Sequence, residues 1–295
     1  MPGNIFNSIP FKSLLIYLMR LIFSILYIVF CLSLNARTHE IICIDSALIK
    51  VDYIRTIVLD TLNPNERLKK DRLTLLAGEK GAAFYSEDSR KNLELSDNPE
   101  YLLKILQNPK LYEERSRLDN EAIFRDNTSN TTIVHQRYDL ENWELKEISE
   151  SPTWDIQDST ICILEFNCIM ATTNFRGREW TAFFSPDIPL PEGPWKLTGL
   201  PGIILKAYDK KKEYSYDAIL IDTHKPGLVE YYNYRDRIKI KDRIKGLIHR
   251  HKVQQSGITS KFNLIANVNL IENKTDSLNV KRYDFEETDY PHVSK

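Results

Sequence analysis

The chain has almost no net charge. Its 295 residues carry 40 basic and 41 acidic side chains, a formal balance of -1. Such a balance creates no global field to draw nucleic acid or an anionic membrane, so a charged partner must be met by a local patch. Cysteine is scarce, with four in all, and none stands at metal-ligand spacing. No glycine-flanked serine elbow is present, since Ser185-Pro186-Asp187 lacks the glycines a serine hydrolase needs. No internal repeat is visible. No helical stretch alternates regularly with strands, which argues against a βαβ architecture. Nothing in the residue pattern calls for a metal or cofactor.

What is present is globular. Hydrophobic residues make up 42% of the chain, with fifteen tyrosines, and such a composition buries a core rather than staying disordered. The first 36 residues stand apart. Residues 21–34 form an almost unbroken apolar run, Lys12 and Arg20 precede it, and Asn35-Ala36 follows it. That order describes a secretory signal with Ala36 as the last residue removed. Met19 directly before Arg20 offers an alternative start and a more compact signal. The competing reading is an uncleaved anchor over residues 14–34, long enough to span about 30 Å of hydrocarbon but with Arg20 inside it. Val29 and Phe30 are too bulky for lipid attachment at Cys31. Cleavage leaves Cys43, Cys162 and Cys168 in an oxidising compartment. Three is odd, so at least one is free or pairs between chains. Cys162 and Cys168 can bridge only if the chain turns between them, because in one straight strand six residues span about 20 Å.

After the leader the pattern is mainly β. Residues 51–60 are rich in β-branched side chains and read as a strand. Two apolar runs around Gly78-Glu79-Lys80-Gly81 predict a hairpin, Arg176-Gly177-Arg178 predicts a second, and Asp209-Lys210-Lys211-Lys212 a third. Successive hairpins imply an antiparallel sheet. Residues 126–132 read as a loop, with strands at 133–138 and 143–148. Helical periodicity over 98–118 and 239–253 predicts two helices, the first ended by Pro109. In the second, Ile240, Ile244, Leu247, Ile248 and His251 share one face. The expected fold is a curved antiparallel sheet or partly closed barrel with one or two helices, because a long twisted sheet curls. The expected organisation is a signal peptide at 1–36, one β-rich domain at 37–275 and a polar tail at 276–295.

One segment packs Pro189, Pro191, Gly193, Pro194, Gly199, Pro201 and Gly202 among Trp195, Leu197, Leu200, Ile203 and Ile204. Linkers are also rich in proline and glycine, but they lack large apolar residues. The physical expectation is a rigid loop docked on the sheet. Trp195 is its anchor, and Pro201-Gly202 is placed at the centre of a type II turn. The hexapeptide Gly199-Leu200-Pro201-Gly202-Ile203-Ile204 closely resembles the signature of the GLPGLI (Porph_ging) family, with Ile203 in place of leucine. The resemblance runs upstream through Cys168, Ala171-Thr172-Thr173, Phe175-Arg176-Gly177-Arg178, Trp180-Thr181-Ala182, Ile188-Pro189 and Gly193-Pro194-Trp195-Lys196. It is firm over residues 154–209 and weak in the C-terminal third. It implies a secreted cell-envelope protein of Bacteroidetes with a signal peptide and a β-rich domain, and it implies no reaction. Two departures are Phe183, where similar proteins commonly carry tryptophan, and Cys162, which puts a family-wide disulfide in doubt.

Arg176, Gly177, Arg178, Asp187, Gly193, Pro194, Trp195, Gly199, Pro201 and Gly202 are therefore the candidate binding loop. Three readings follow. The first is a non-enzymatic binding or accessory protein of the periplasm or cell envelope, partnered by another envelope protein or a small apolar ligand and not by nucleic acid. The second is a carrier of a lipid-like molecule inside the curved sheet. The third is an envelope hydrolase using Asp187 or Glu165 with Arg176 or Arg178. Charged turn residues are usually solvated, so the two arginines are read as exposed or paired at the surface. Cys168 as a nucleophile needs a base, and nothing in the sequence places His135 beside it. His249 and His251 point to different sides of a helix and so do not share an ion. The basic residues of that helix read as a solvent face, with anionic lipid as the alternative contact. Tyr231, Tyr232 and Tyr234 read as an edge strand.

Overall fold

A computed structural model describes residues 40–65, 68–95, 99–108, 121–138, 141–224, 226–233, 237–255 and 285–291. The expected signal or anchor segment, Pro109 and Tyr234 lie outside the described residues. The chain forms two compact units. Met1–Glu40 with Asn233–Arg235 falls almost wholly outside the described residues, and Ile41–Tyr232 with Asp236–Lys295 carries the fold described below.

The strands are β1 (Glu40–Ser46), β2 (Ile49–Val58), β3 (Leu68–Ala77), β4 (Gly81–Tyr85), β5 (Ala122–Asp126), β6 (Thr131–Tyr138) and β7 (Glu141–Ile148). They continue as β8 (Asp155–Ile163), β9 (Phe166–Phe175), β10 (Arg178–Ser185), β11 (Ile203–Asp209), β12 (Tyr214–Asp222), β13 (Leu228–Asn233) and β14 (Ile238–Ile240). Helices α1 (Glu87–Leu95), α2 (Pro99–Gln107) and α3 (Arg243–Gln255) complete the described elements. Twelve strands form one sheet in the order β14-β7-β6-β5-β4-β3-β2-β12-β11-β10-β9-β8, and β1 pairs with β13 in a second, two-stranded sheet. The large sheet is antiparallel except where β14 runs parallel to β7. Its edges, β8 and β14, do not meet. Of the two forms expected, the open sheet is the one present.

Period-two alternation assigns the two faces. Val51 and Tyr53 of β2, Leu73 and Leu75 of β3, Phe84 of β4 and Ile123 of β5 belong to the main core. Leu76, Ala83, Phe124 and Ile133 point the other way, into a smaller core closed by Ala47 and Val229 beside the two-stranded sheet. The three predicted hairpins are present. The β9–β10 turn has positive φ at both Arg176 (52°) and Gly177 (83°), the backbone of a two-residue type I′ loop.

Two local expectations are corrected. The helix predicted from residue 239 starts at Arg243, because Ile238–Ile240 is β14 and Asp242 caps the helix by accepting from the Lys245 amide. Ile240, expected on its apolar face, therefore stands on β14, and the rest of that face packs as expected, with Leu247 buried against Phe285 and Tyr290. The turn at Pro201-Gly202 is not type II, since positive φ falls on Gly199 (90°) rather than Gly202. The Gly202 amide instead donates to the Leu200 carbonyl across Pro201, a three-residue γ-turn. Gly202 is required by space: a Cβ there would lie 2.1 Å from the Ser185 carbonyl oxygen. Within the stretch expected as a polar tail, residues 285–291 lie against the main body with Phe285, Glu286, Glu287 and Tyr290 buried.

Candidate functional site

The strap, residues 186–202, crosses the main-core face between β10 and β11. Trp195 is 2% exposed, and Leu197, Leu200, Ile203 and Ile204 are buried with it. Its indole lies 5.5 Å from the Trp180 ring and edge-on to Phe175 at 6.0 Å. The expected docking of the strap by its tryptophan is the arrangement present.

Polar groups fix the strap's path. Arg125 stands on β5 two residues beyond Ile123, so it faces the main core. There its Nε donates to Glu192 at 2.7 Å, and its two terminal nitrogens donate to the carbonyls of Trp195 and Gly193. One guanidinium thus satisfies two carbonyls of an irregular segment that has no ladder to pair with. Tyr53 donates its hydroxyl to the Ile204 carbonyl at 2.7 Å, and burial pushes that phenol's pKa up. Trp154 donates its indole N–H to Thr198 at 2.8 Å. Arg125, Glu192 and Tyr53 were not singled out from the sequence. A lone arginine in the short apolar strand AIFRD carries no local sign that its partner is 67 residues away.

The second assembly lies around the β9–β10 turn. Arg176 and Arg178, read as exposed or paired at the surface, are paired but buried, at 8% and 7% exposed. Arg178 takes Asp209 at 3.0 Å and Glu213 at 2.7 Å, and donates to the Phe285 carbonyl from two nitrogens. Arg176 pairs with Glu147 and Glu150. Lys196, the strap residue beside Trp195, is held at 2.6 Å by both Glu147 and Glu287. Arg243 of α3 meets Glu287 and Asp289, and Arg55 of β2 meets Asp71 and Glu286. Burial alone would raise the Glu287 carboxyl, but Lys196, with Arg176 and Arg243, outweighs it and holds the pKa down to about 2. The basic residues of α3 are therefore not all a solvent face, since Arg243 is paired and Arg250 bonds Glu121.

The remaining candidates separate. Glu165 and Asp187 are exposed, Glu165 in the β8–β9 turn and Asp187 at the start of the strap. Among the described residues neither pairs with an arginine, and Arg176 and Arg178 are held by other carboxylates. Ser185 is fully buried. The chain does turn between Cys162 and Cys168, yet Cys168 stands opposite Ile161 and Cys162 opposite Asn167. Adjacent residues of a strand face opposite ways, so the two thiols project from opposite faces, one buried and one exposed, and both are free. Burial first, and then Cys162, push the Cys168 thiol up to about 11, the reverse of an activated nucleophile. His135 is buried between Phe124 and Tyr231 and donates Nε2–H to Glu144 at 3.1 Å. Burial lowers its pKa to about 4, so at neutral pH this contact is a hydrogen bond from neutral imidazole and not an ion pair. His249 stacks on Trp143 at 4.3 Å, whereas His251 meets the Tyr290 hydroxyl at 3.1 Å, so they serve different contacts.

A cleft of about 30 Å³ lies between α3 and strands β6 and β7, lined by Val134, Trp143, Lys196, Arg243, Leu247 and Glu287 among others. That volume holds one or two waters. An organic ligand needs about 300 Å³ or more.

No family model matches the chain, and no curated protein matches it. Among solved structures, two crystal forms of PNGF-II are similar at 9% identity, with TM-scores of 0.46 and 0.45. The overlap covers 70% of this chain and 33% and 32% of theirs, so the chain spans about a third of the length of the structures it matches. Likeness at this level carries no argument about chemistry.

Proposed function

We propose that this chain is an exported cell-envelope protein of the GLPGLI type that binds or supports a partner and catalyses no reaction of its own. One observation carries the reading. The groups best suited to chemistry near the signature, Arg176, Arg178, Lys196 and Cys168, are buried, the three cations in structural pairs and the thiol with its pKa raised. The acidic candidates Glu165 and Asp187 stand outside that network. These side chains of the signature and its flank thus hold other parts of the chain rather than a substrate.

The carrier reading is less well supported. The apolar face that would hold a lipid tail is filled by the strap's own Trp195, Leu197 and Leu200 packed with Tyr53, Phe84 and Trp180. The leader supports export, and among the described residues no helix is long and apolar enough to cross a membrane.

The test is made on the mature protein purified from envelopes. Native mass spectrometry is expected to show the bare polypeptide mass, and a stoichiometric apolar molecule would favour the carrier. Envelope esters, glycans and peptides are expected to survive incubation with it. Turnover lost in Asp187→Asn or Glu165→Gln would replace the binding reading with a hydrolase.

A further inference from the structure

Residues 285–291 are held the way a bound peptide is held. They belong to no strand or helix. Their contacts come from five separate parts of the fold: Arg55 on β2, Tyr216 on β12, the turn Arg176-Gly177-Arg178, Lys196 on the strap and Arg243 on α3. The recognition is specific at successive positions. Arg178 donates to the Phe285 carbonyl while the Phe285 ring packs under the Arg250 guanidinium at 3.9 Å. Glu286 accepts from Arg55 at 3.1 Å and from Tyr216 at 3.3 Å. Glu287 accepts from Lys196 and Arg243. The Thr288 amide donates to the Arg176 carbonyl at 2.9 Å, and its hydroxyl donates to the Gly177 carbonyl at 2.9 Å. Asp289 takes a two-pronged bond from Arg243 at 2.8 and 2.7 Å. Among the described residues, the ion pairs of Arg243 are all to this segment.

We propose that this groove is a receptor for an acidic peptide of the pattern Phe-Glu-Glu-Thr-Asp, occupied in cis by the chain's own segment, and that the same segment of a second copy takes its place. The occupant is argued from the chain itself. Between Gln255, the end of α3, and Phe285 lie 29 residues, a length that reaches about 100 Å when extended. That reach covers a neighbouring molecule's groove as well as its own. A tethered segment competes at an effective concentration of about millimolar, so exchange is suppressed until copies are crowded or the tether is cut. Copies linked in this way form reciprocal pairs or open chains. The inference rests on the binding-protein reading and names its partner. Failed exchange would leave that reading standing, whereas turnover of a substrate would sink the reading without touching the exchange.

The experiment uses the full chain with a protease site placed within residues 256–284, cut after folding. A labelled peptide of residues 283–292 is added and followed by fluorescence anisotropy. The cut protein is expected to take it up at least tenfold more tightly than the uncut protein, and a peptide with both glutamates replaced by lysine is expected not to bind. A cut protein that retains its own fragment through gel filtration and takes up no label overturns the proposal. So does a body that loses its cooperative melt when the fragment leaves, since the segment is then a fold element. Mixed donor- and acceptor-labelled full chains at high concentration are expected to exchange, and Glu287→Lys to abolish this. Peptide uptake without chain exchange overturns the second copy as occupant.

Discussion

The strap at 186–202 and the segment at 285–291 are both irregular stretches laid over the same body, and they meet at Lys196 and Glu287, yet they are held by opposite means. The strap buries Trp195, Leu197 and Leu200 in the main core, and its backbone carbonyls are held by Arg125 and the Trp154 indole. The segment buries Phe285 and Tyr290, but three of its seven positions, Glu286, Glu287 and Asp289, are fixed by charge. Apolar burial is non-directional and tolerant of small shifts. Buried ion pairs are directional, and removing one partner strands a desolvated charge. The strap should therefore fail in proportion to lost volume, and the segment should fail in proportion to lost charge.

The largest effect is expected at the strap. Trp195→Ala should cost about 3–5 kcal/mol in urea unfolding, the usual range for emptying a buried tryptophan site. A loss under about 1 kcal/mol would show that Arg125, not the indole, holds the strap. Glu287→Gln keeps the shape and removes the charge. It should cost about 3 kcal/mol, the lower end for a broken buried pair, because Glu147 still faces Lys196. If Glu287→Gln and Lys196→Met together cost less than either alone, charge complementarity is the segment's main tie. Gly202→Ala should cost about 2 kcal/mol or more, since the new Cβ would meet the Ser185 carbonyl oxygen at 2.1 Å, and backbone atoms on both sides must give way.

Acid should separate the regions in two windows. The His135 pKa is depressed from 6.5 to about 4 by burial, so the folded state prefers the neutral ring. Its contribution is complete above about 6.5 and is lost as pH falls toward 4. The Glu287 pKa is depressed from 4.5 to about 2, so its contribution is complete above about 4.5 and is lost between there and 2. Hydrogen exchange at amides of residues 285–291 should rise only in the second window. A rise already complete at pH 5 would show that the segment is not held by its carboxylates. The smallest effect is expected outside both regions. Lys206→Ala breaks a half-exposed pair with Asp217 at 2.7 Å and should cost under about 1 kcal/mol.

Much of the strap could be read from the sequence, and little of the segment could. Proline and glycine interleaved with tryptophan and leucine announce a shaped, docked loop, because no linker carries that apolar load. FEETDY announces nothing, because acidic residues are almost always solvated, and only the partners that meet them make burial tolerable. The same bias misplaced Arg176 and Arg178 at the surface. Turn geometry was legible at Arg176-Gly177 and misread at Pro201-Gly202. There the nearby Ser185 carbonyl, rather than any preference of the dipeptide, demands glycine. The helix at Arg243 was legible by its period, but its first turn was overestimated because Ile238–Ile240 finds a strand partner in β7.

Local alternation of apolar and polar residues, the hairpin turns and the stiffness of the strap are all written in neighbouring residues. Each depends on neighbours within a few positions, where periodicity and φ preference act. Tertiary structure alone decided which charges are buried and with whom. Arg125 finds Glu192, Arg55 finds Glu286, and Lys196 finds Glu287 across separations of 67, 231 and 91 residues. A charge enters a low-dielectric interior only when its partner arrives with it.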